Sequence, residues 1–358
     1  MSESQASLIL ARLRERIDST LATFLGESSR YLNSIGPELA SVAQEMNTFL
    51  LDGGKRFRPL LSCIGAITVN GADVDDAIVK ASSSLELLHA CALIHDDVMD
   101  GSDTRRGRPS VHRHFESLHR SNSLSGDSGG YGVATAILLG DLALIWSDQI
   151  LHQSGLAHER LLGVLPIFDE LRVELMAGQF LDVHEQSLAT TDPDRSLRVA
   201  SYKSGKYSIE RPLHFGARLS GGSDQLLTAL SHYGIPIGEA FQLRDDILGV
   251  FGDPTETGKP AGDDLREGKR TVLIALAHQG SKESGRRELE NLGNPTLDAN
   301  QVTRLREVIT SSGALAKVEE MISARAEGAH DALSSPLIAA EAKPLLELMA
   351  HLALVRRS

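Results

Sequence analysis

Apolar residues recur three and four positions apart along almost the whole chain. The first runs cover residues 4–25 and 29–50, with Leu8, Leu10, Leu13, Ile17 and Leu21 at helical spacing. Gly53-Gly54 ends the second run, and Lys55-Arg56-Phe57-Arg58-Pro59 opens a helix that continues over 60–69; proline is tolerated in a first helical turn. After a turn at Gly71-Ala72-Asp73, a long helix is expected from about Val74 or Asp76 to Asp100. The same spacing predicts helices over 131–154, 158–189, 194–220, 223–250, 268–280, 283–292, 299–311, 313–333 and 336–356. Pro166 and Pro212 fall inside these segments and predict kinks or breaks. Residues 107–109 read as a loop. Residues 117–130, SLHRSNSLSGDSGG, lack an apolar period and read as a flexible surface loop. No stretch alternates with period two for long enough to make a strand, no tandem repeat occurs, and no linker divides two composition regimes. The expected fold class is therefore all-α, a single helix-bundle domain over residues 1–358.

Composition narrows this picture in two ways. Aromatic residues make up only 4% of the chain, so Leu, Ala, Ile and Val must do most of the packing, as in helix bundles. The net charge is -12, which argues against general attraction to nucleic acid or an anionic membrane. Basic residues gather instead in local clusters, Lys55-Arg56-Phe57-Arg58, Arg105-Arg106-Gly107-Arg108 and Lys203/Lys206, which suit a small anionic ligand. Cys63 and Cys91 sit in apolar helical pattern without metal-ligand spacing, as expected of reduced core cysteines in the cytoplasm. The N-terminal MSESQASLILARLRERID lacks the apolar core of a signal peptide. The longest apolar run, Tyr131 to Trp146, is interrupted by Asp141 and is short for a membrane span, so none is expected.

The chemistry concentrates where apolar helices run into acid. In LELLHACALIHDDVMDGSDTRRGRP (85–109), Asp96 and Asp100 are four apart and share a helix face, with Asp97 about 100° round. Like charges at that spacing call for a counter-ion, and magnesium, usually held by a few carboxylates plus substrate phosphates, would serve. Arg105, Arg106 and Arg108 follow as donors for phosphate oxygens. FQLRDDILGVFGD (241–253) repeats the logic with Asp245 and Asp246, and TGKPAGDDLREGKRT after it carries Lys259 and Lys269. Between them, Gln179 and Asp182 are three apart in GQFLDV, as are Lys203 and Lys206 in YKSGKYS. His89 lies two turns before Asp96 on nearly the same face, placed to offer a donor to a second anion. Taken alone, each of these also reads as a solvated polar face, a lone Lys or Gln most of all. Two acid motifs, each followed by basic residues, suit metal ions gripping a diphosphate between facing helices.

GGKRFRP, the 85–109 stretch, GQFLDV, YKSGKYS and the 241–271 stretch occur in an order that resembles the signature of the trans-isoprenyl diphosphate synthases, from about Gly53 to Thr271. The sequence departs from that signature at Gly249, where many members have a third aspartate. The resemblance implies an all-α bundle with a central cavity, a homodimer, three Mg²⁺ ions, and two substrates, an allylic diphosphate and isopentenyl diphosphate. It implies that Asp96, Asp100, Asp182 and Asp245 ligate metal. Arg105, Lys203, Ser204, Gln242, Lys259 and Lys269 would clamp the allylic diphosphate, and Lys55, Arg58, His89 and Arg106 would hold isopentenyl diphosphate. Cys91 and Ala92, five and four positions before the first motif, would set chain length. Their small size suits geranylgeranyl diphosphate as product, with longer-chain or farnesyl synthases as alternatives. A terpene cyclase, which needs no second diphosphate site, and a non-catalytic partner subunit, which typically loses motif acids, are the rival readings.

Overall fold

The computed structural model describes residues 2–189, 191–253 and 262–354. Helix α1 (Glu3–Ile35) is continuous where the pattern divides it, and Ser2 and Gln5 cap its start reciprocally. The break comes later, at Gly36-Pro37, where a short 3₁₀ turn leads into α2 (Ala40–Leu51). Next come α3 (Phe57–Asn70) and α4 (Asp76–Met99), whose first turn is capped by the Asp75 carboxylate accepting from Ile78 N–H at 2.8 Å.

The expected loop at 107–109 is half of a small hairpin. Strands β1 (Thr104–Arg105) and β2 (Arg108–Pro109) pair antiparallel around Arg106 and Gly107, both at positive φ, the two-residue turn that suits a tight hairpin. The surface loop expected over 117–130 narrows to 122–127. Helix α5 (Val111–Ser121) reaches into it from one side, and α6 (Ser128–His152) enters from the other, capped by the Asp127 carboxylate. Pro166 does not break α7 (His158–Leu188).

Residues 194–220 are not one helix. Helix α8 (Pro193–Val199) passes into an eleven-residue π-helix, Ala200–Glu210, which returns to α-geometry in α9 (Arg211–Leu219) with Pro212 in its first turn. A π-helix bonds i to i+5 and is wider than an α-helix, so it shifts the facing of every residue it carries. Helix α10 (Asp224–Phe251) packs against it. The C-terminal helices are Asp263–Glu267, Val272–Gly280, Glu283–Leu289, Ala299–Ser311, Ala314–Ala332 and Lys343–Leu354. All-α is the fold class, as the periodicity predicts.

The apolar core forms two clusters that meet along α10. One gathers α1 to α7, α9 and the first part of α10. The other joins Ala240, Leu243, Ile247 and Val250 to residues 265–322 of the C-terminal helices, while the last helix packs into the first cluster. By length and composition α4 and α6 could each cross a bilayer, but α4 lies in the core with 72% of its apolar window buried. Only 28% of the corresponding window of α6 is buried. That helix nevertheless carries Asp141 and Asp148, the latter ion-paired to Arg172 of α7 at 2.8 Å, which would be costly in lipid.

Candidate active site

A cavity of about 480 Å³ opens between α4, α7, the π-helix and α10, and each contributes a polar residue: Asp96, Gln179, Lys203 and Gln242. Asp100 caps the C-terminus of α4, its N–H donating to the Asp96 carbonyl at 2.8 Å. The two acids therefore keep helical register and leave α4 on one side. Across from them, Lys203 Nζ donates to Asp96 Oδ1 at 3.1 Å and to Asp182 Oδ2 at 2.6 Å. Gln179 Nε2 donates to the same Asp96 oxygen at 2.9 Å. This closeness depends on Gly178, because a Cβ there would fall 2.4 Å from the backbone nitrogen of Lys203. A second lysine closes the other end. Lys269 Nζ lies 2.8 Å from Glu267 and 3.5 Å from both Asp100 and Asp264, tying the end of α4 to the helix Asp263–Glu267.

The charges on this wall are unequal. Burial disfavours ionised Asp96, but Lys203, Lys269 and Arg105 outweigh it and hold the carboxyl at about 2. Burial pushes Asp100 up to about 6, the Asp96 charge adding and Lys269 opposing. Asp246 is raised by burial to about 8, helped by Asp264 and Asp245 and opposed by the 2.7 Å hydrogen bond that Gln242 donates. Acids whose ionisation is suppressed in this way would be relieved by added positive charge. Among the described residues no three acids, histidines or cysteines converge closely enough to enclose a metal ion, and lysine ammonium groups occupy the space between the carboxylates. The donors on offer are carboxylate oxygens, the type hard divalent cations prefer.

A different arrangement surrounds Arg58 on α3. Its Nη2 donates to Ser208 Oγ at 2.6 Å, and its guanidinium lies 4.3 Å over the Tyr207 ring. Tyr207 Oη and His89 Nδ1 are 3.3 Å apart. Arg106, from the hairpin turn, donates to the Phe49 carbonyl at 3.4 Å. Arg58, His89 and Arg106 line the cavity together, and neither arginine forms an ion pair among the described residues.

The expected site residues divide accordingly. Arg58, His89, Ala92, Asp96, Arg105, Arg106, Asp182, Lys203, Ser204, Gln242, Asp245 and Lys269 line the cavity, and Asp100 reaches it through Lys269. Lys55 is exposed between α2 and α3 and does not line it. Lys259 lies outside the described residues. Cys91 is fully buried on the α4 face toward α6, its Sγ 3.8 Å from His95 Nδ1, so of the expected chain-length pair only Ala92 reaches the wall. Arg105 lines the cavity with its guanidinium bonded to buried Asp97. Arg56, part of an apparent basic patch, is buried at positive φ and donates to Asp18 at 2.6 Å and Glu86 at 2.8 Å.

Sequence reasoning missed Tyr207, Ser208, Asp264 and Glu267. The first two stood in YKSGKYS four residues after Lys203 and Ser204, which would have been the signal. Asp264 also accounts for Gly249. A Cβ on Gly249 would fall 1.9 Å from the Asp264 carboxylate, so a carboxylate from the next helix fills the space beside this glycine.

Residues 40–309 match the polyprenyl synthetase family model. The chain is 34% identical to geranylfarnesyl diphosphate synthase of Aeropyrum pernix, over 83% of this chain and 88% of that one. It is 31% identical to geranylgeranyl diphosphate synthase of Mycobacterium tuberculosis, over 92% and 87%. The fold superimposes on geranylgeranyl pyrophosphate synthase from Corynebacterium glutamicum, solved with isoprenyl diphosphate and magnesium, at a TM-score of 0.93 and 40% identity, covering 97% of this chain and 99% of the other. With two acid-bearing helices facing one cavity and matches of this extent, the chain belongs to the polyprenyl synthetase family, the trans-isoprenyl diphosphate synthases.

Proposed function

We propose that the protein condenses isopentenyl diphosphate head-to-tail with an allylic diphosphate, with geranylgeranyl diphosphate as the main product. One observation carries this reading over a cyclase. The cavity has two cation groups of different kinds: Lys203 and Lys269, interleaved with acids, and Arg58 with Arg106, which form no ion pair among the described residues. The first group suits a diphosphate shared with metal, and the second suits a diphosphate held directly. The names of the relatives support the product class. Retention of Asp96, Asp100, Asp245 and Asp246 speaks for catalysis rather than a partner role.

Asp96, Asp100, Asp182 and Asp245 are the residues that would hold Mg²⁺, three ions in all by family resemblance. Bound Mg²⁺ supplies charge stabilisation for a departing diphosphate. In the reaction the allylic C–O bond breaks and its electron pair leaves with the diphosphate. The double bond of isopentenyl diphosphate then forms the new C–C bond, and the proton lost passes to a diphosphate oxygen. Lys203, Lys269 and Gln242 would bind the allylic diphosphate as preorganised donors, with Ser204, Arg105 and Lys259 as further contacts. Arg58, His89 and Arg106 would orient isopentenyl diphosphate, and Lys55, outside the cavity, is left out of that group. Ala92, Leu93, Leu175 and Phe241 give the cavity an apolar wall that excludes water from the cation.

The same reading takes the enzyme as a cytoplasmic homodimer of single-domain subunits. Exposed Leu138 and Ile145 on α6, with Val173 and Phe180 on α7, offer an apolar face for a second copy, and two free buried cysteines suit a reducing compartment. The test is to incubate the protein with Mg²⁺, isopentenyl diphosphate and five-, ten- or fifteen-carbon allylic primers and to size the products. A twenty-carbon diphosphate is expected. Failure to elongate any primer would overturn the reading.

A further inference from the structure

Six lysines and arginines line the described part of the cavity, and the described residues neutralise only three. Lys203, Lys269 and Arg105 pair with carboxylates, whereas Arg58, Arg106 and Arg270 form no ion pair among the described residues. Arg58 is compensated by Ser208 and the Tyr207 ring, and Arg106 by the Phe49 carbonyl. Among the described residues Arg270 has no such compensation, and its Nε is buried without a hydrogen-bond partner there. Burial alone holds its pKa below the ordinary arginine value, with no carboxylate offsetting it. A guanidinium stays charged at any physiological pH, so desolvating one without a counter-ion is costly unless an anion joins it.

The backbone keeps this arginine in place. Its carbonyl accepts from Ser196 Oγ at 2.7 Å, which ties it to α8, and the next residue, Thr271, caps the helix Val272–Gly280. Arg270 follows Lys269 directly, whereas Arg58 and Arg106 arrive from α3 and the hairpin. Among the described residues no carboxylate forms an ion pair with Arg270, and an entering anion can supply the counter-charge. A guanidinium fork matches two oxygens of a phosphate group.

We propose that Arg270 is a further ligand of the diphosphate on the Lys269 side of the cavity, that of the allylic substrate. This rests on the function proposed above. Because no carboxylate must first be displaced from it, Arg270 can engage the anion as soon as it enters.

The experiment compares Arg270→Met, Arg270→Lys, Arg58→Ala and the parent enzyme, measuring KM for each substrate with the other saturating. Losing charge-assisted hydrogen bonds should raise the allylic KM of Arg270→Met at least tenfold while leaving that for isopentenyl diphosphate within twofold. Arg270→Lys should fall between, and Arg58→Ala should show the reverse pattern. In parallel, inorganic pyrophosphate is titrated into each protein saturated with isopentenyl diphosphate and Mg²⁺, and Arg270→Met should bind it at least tenfold more weakly. Equal shifts in both KM values, no shift in either, or unchanged pyrophosphate affinity would overturn the proposal. If Arg270→Met does not fold, Arg270→Lys and Arg270→Gln decide by the same titration. A parent enzyme that makes no condensation product refutes the function and leaves the titration to judge Arg270.

Discussion

Lys203 Nζ lies 2.6 Å from Asp182 Oδ2, and the same nitrogen reaches Asp96 Oδ1 at 3.1 Å, so one ammonium from the π-helix bridges acids on α7 and α4. A lysine in that place does two jobs that a mutation separates. It neutralises carboxylates that a metal ion would otherwise neutralise, and under the proposed function it would supply a donor for the departing diphosphate. Lys203→Met should therefore lower turnover by two to three orders of magnitude, the usual loss for a principal electrostatic stabiliser. Mg²⁺ should bind the variant more tightly, because its competitor is gone. The measurement is kcat together with the Mg²⁺ concentration that half-protects the protein from thermal unfolding. Weaker Mg²⁺ protection in the variant would contradict the competition.

The contact between Gly249 and Asp264 predicts an unusual double-mutant result. Introducing the aspartate that the family signature implies, Gly249→Asp, forces a Cβ to 1.9 Å from the Asp264 carboxylate and places two acids together. Overpacking of this kind costs about 1–3 kcal/mol, so the single variant should melt lower and turn over more slowly. Adding Asp264→Ala should recover much of both losses, since the new carboxylate then has the vacated space. Additive losses in the double variant would show that the two positions do not share one site.

Chain length should respond to Ala92 and not to Cys91. Ala92 lines the cavity, so Ala92→Phe should shorten the product to fifteen carbons or fewer with little change in melting temperature. Cys91 is packed beside His95, so Cys91→Phe should cost stability, about 1–3 kcal/mol, without moving the product distribution. Product sizing and thermal melts of both variants separate these outcomes.

His214 makes stability depend on pH below neutrality. Burial holds its folded pKa down to about 4, with the Glu210 charge opposing and Arg211 reinforcing. The unfolded chain, with an ordinary value near 6.5, therefore binds a proton across that interval which the folded protein does not. Stability is intact above about 6.5 and is lost as the pH falls towards 4, by roughly 1.4 kcal/mol per pKa unit of separation. His214→Gln should flatten the decline in melting temperature between pH 6.5 and 4.5. An identical decline in both proteins would remove His214 from the account.

Most of the helices, the order of the motifs and the register of Asp96 with Asp100 were legible in the residues alone, because each depends on neighbours within a turn or two. A period of 3.6 residues is visible to anyone counting along α4. Three things were decided only by packing. Residues 200–210 follow a helical pattern, yet nothing local marks them as π, and they are where α7 and α10 press close on Lys203 and Gly205. Arg56 and Arg58 are two positions apart and chemically alike, but one is enclosed by Asp18 and Glu86 and the other opens to the cavity. Lys269 looked like a plain phosphate clamp, and its commitment to Asp100, Asp264 and Glu267 became visible only in three dimensions. The physical reason is common to all three. Burial and ion pairing are set by residues far away in the chain, and Lys203 meets Asp96 across 107 positions that no local pattern connects.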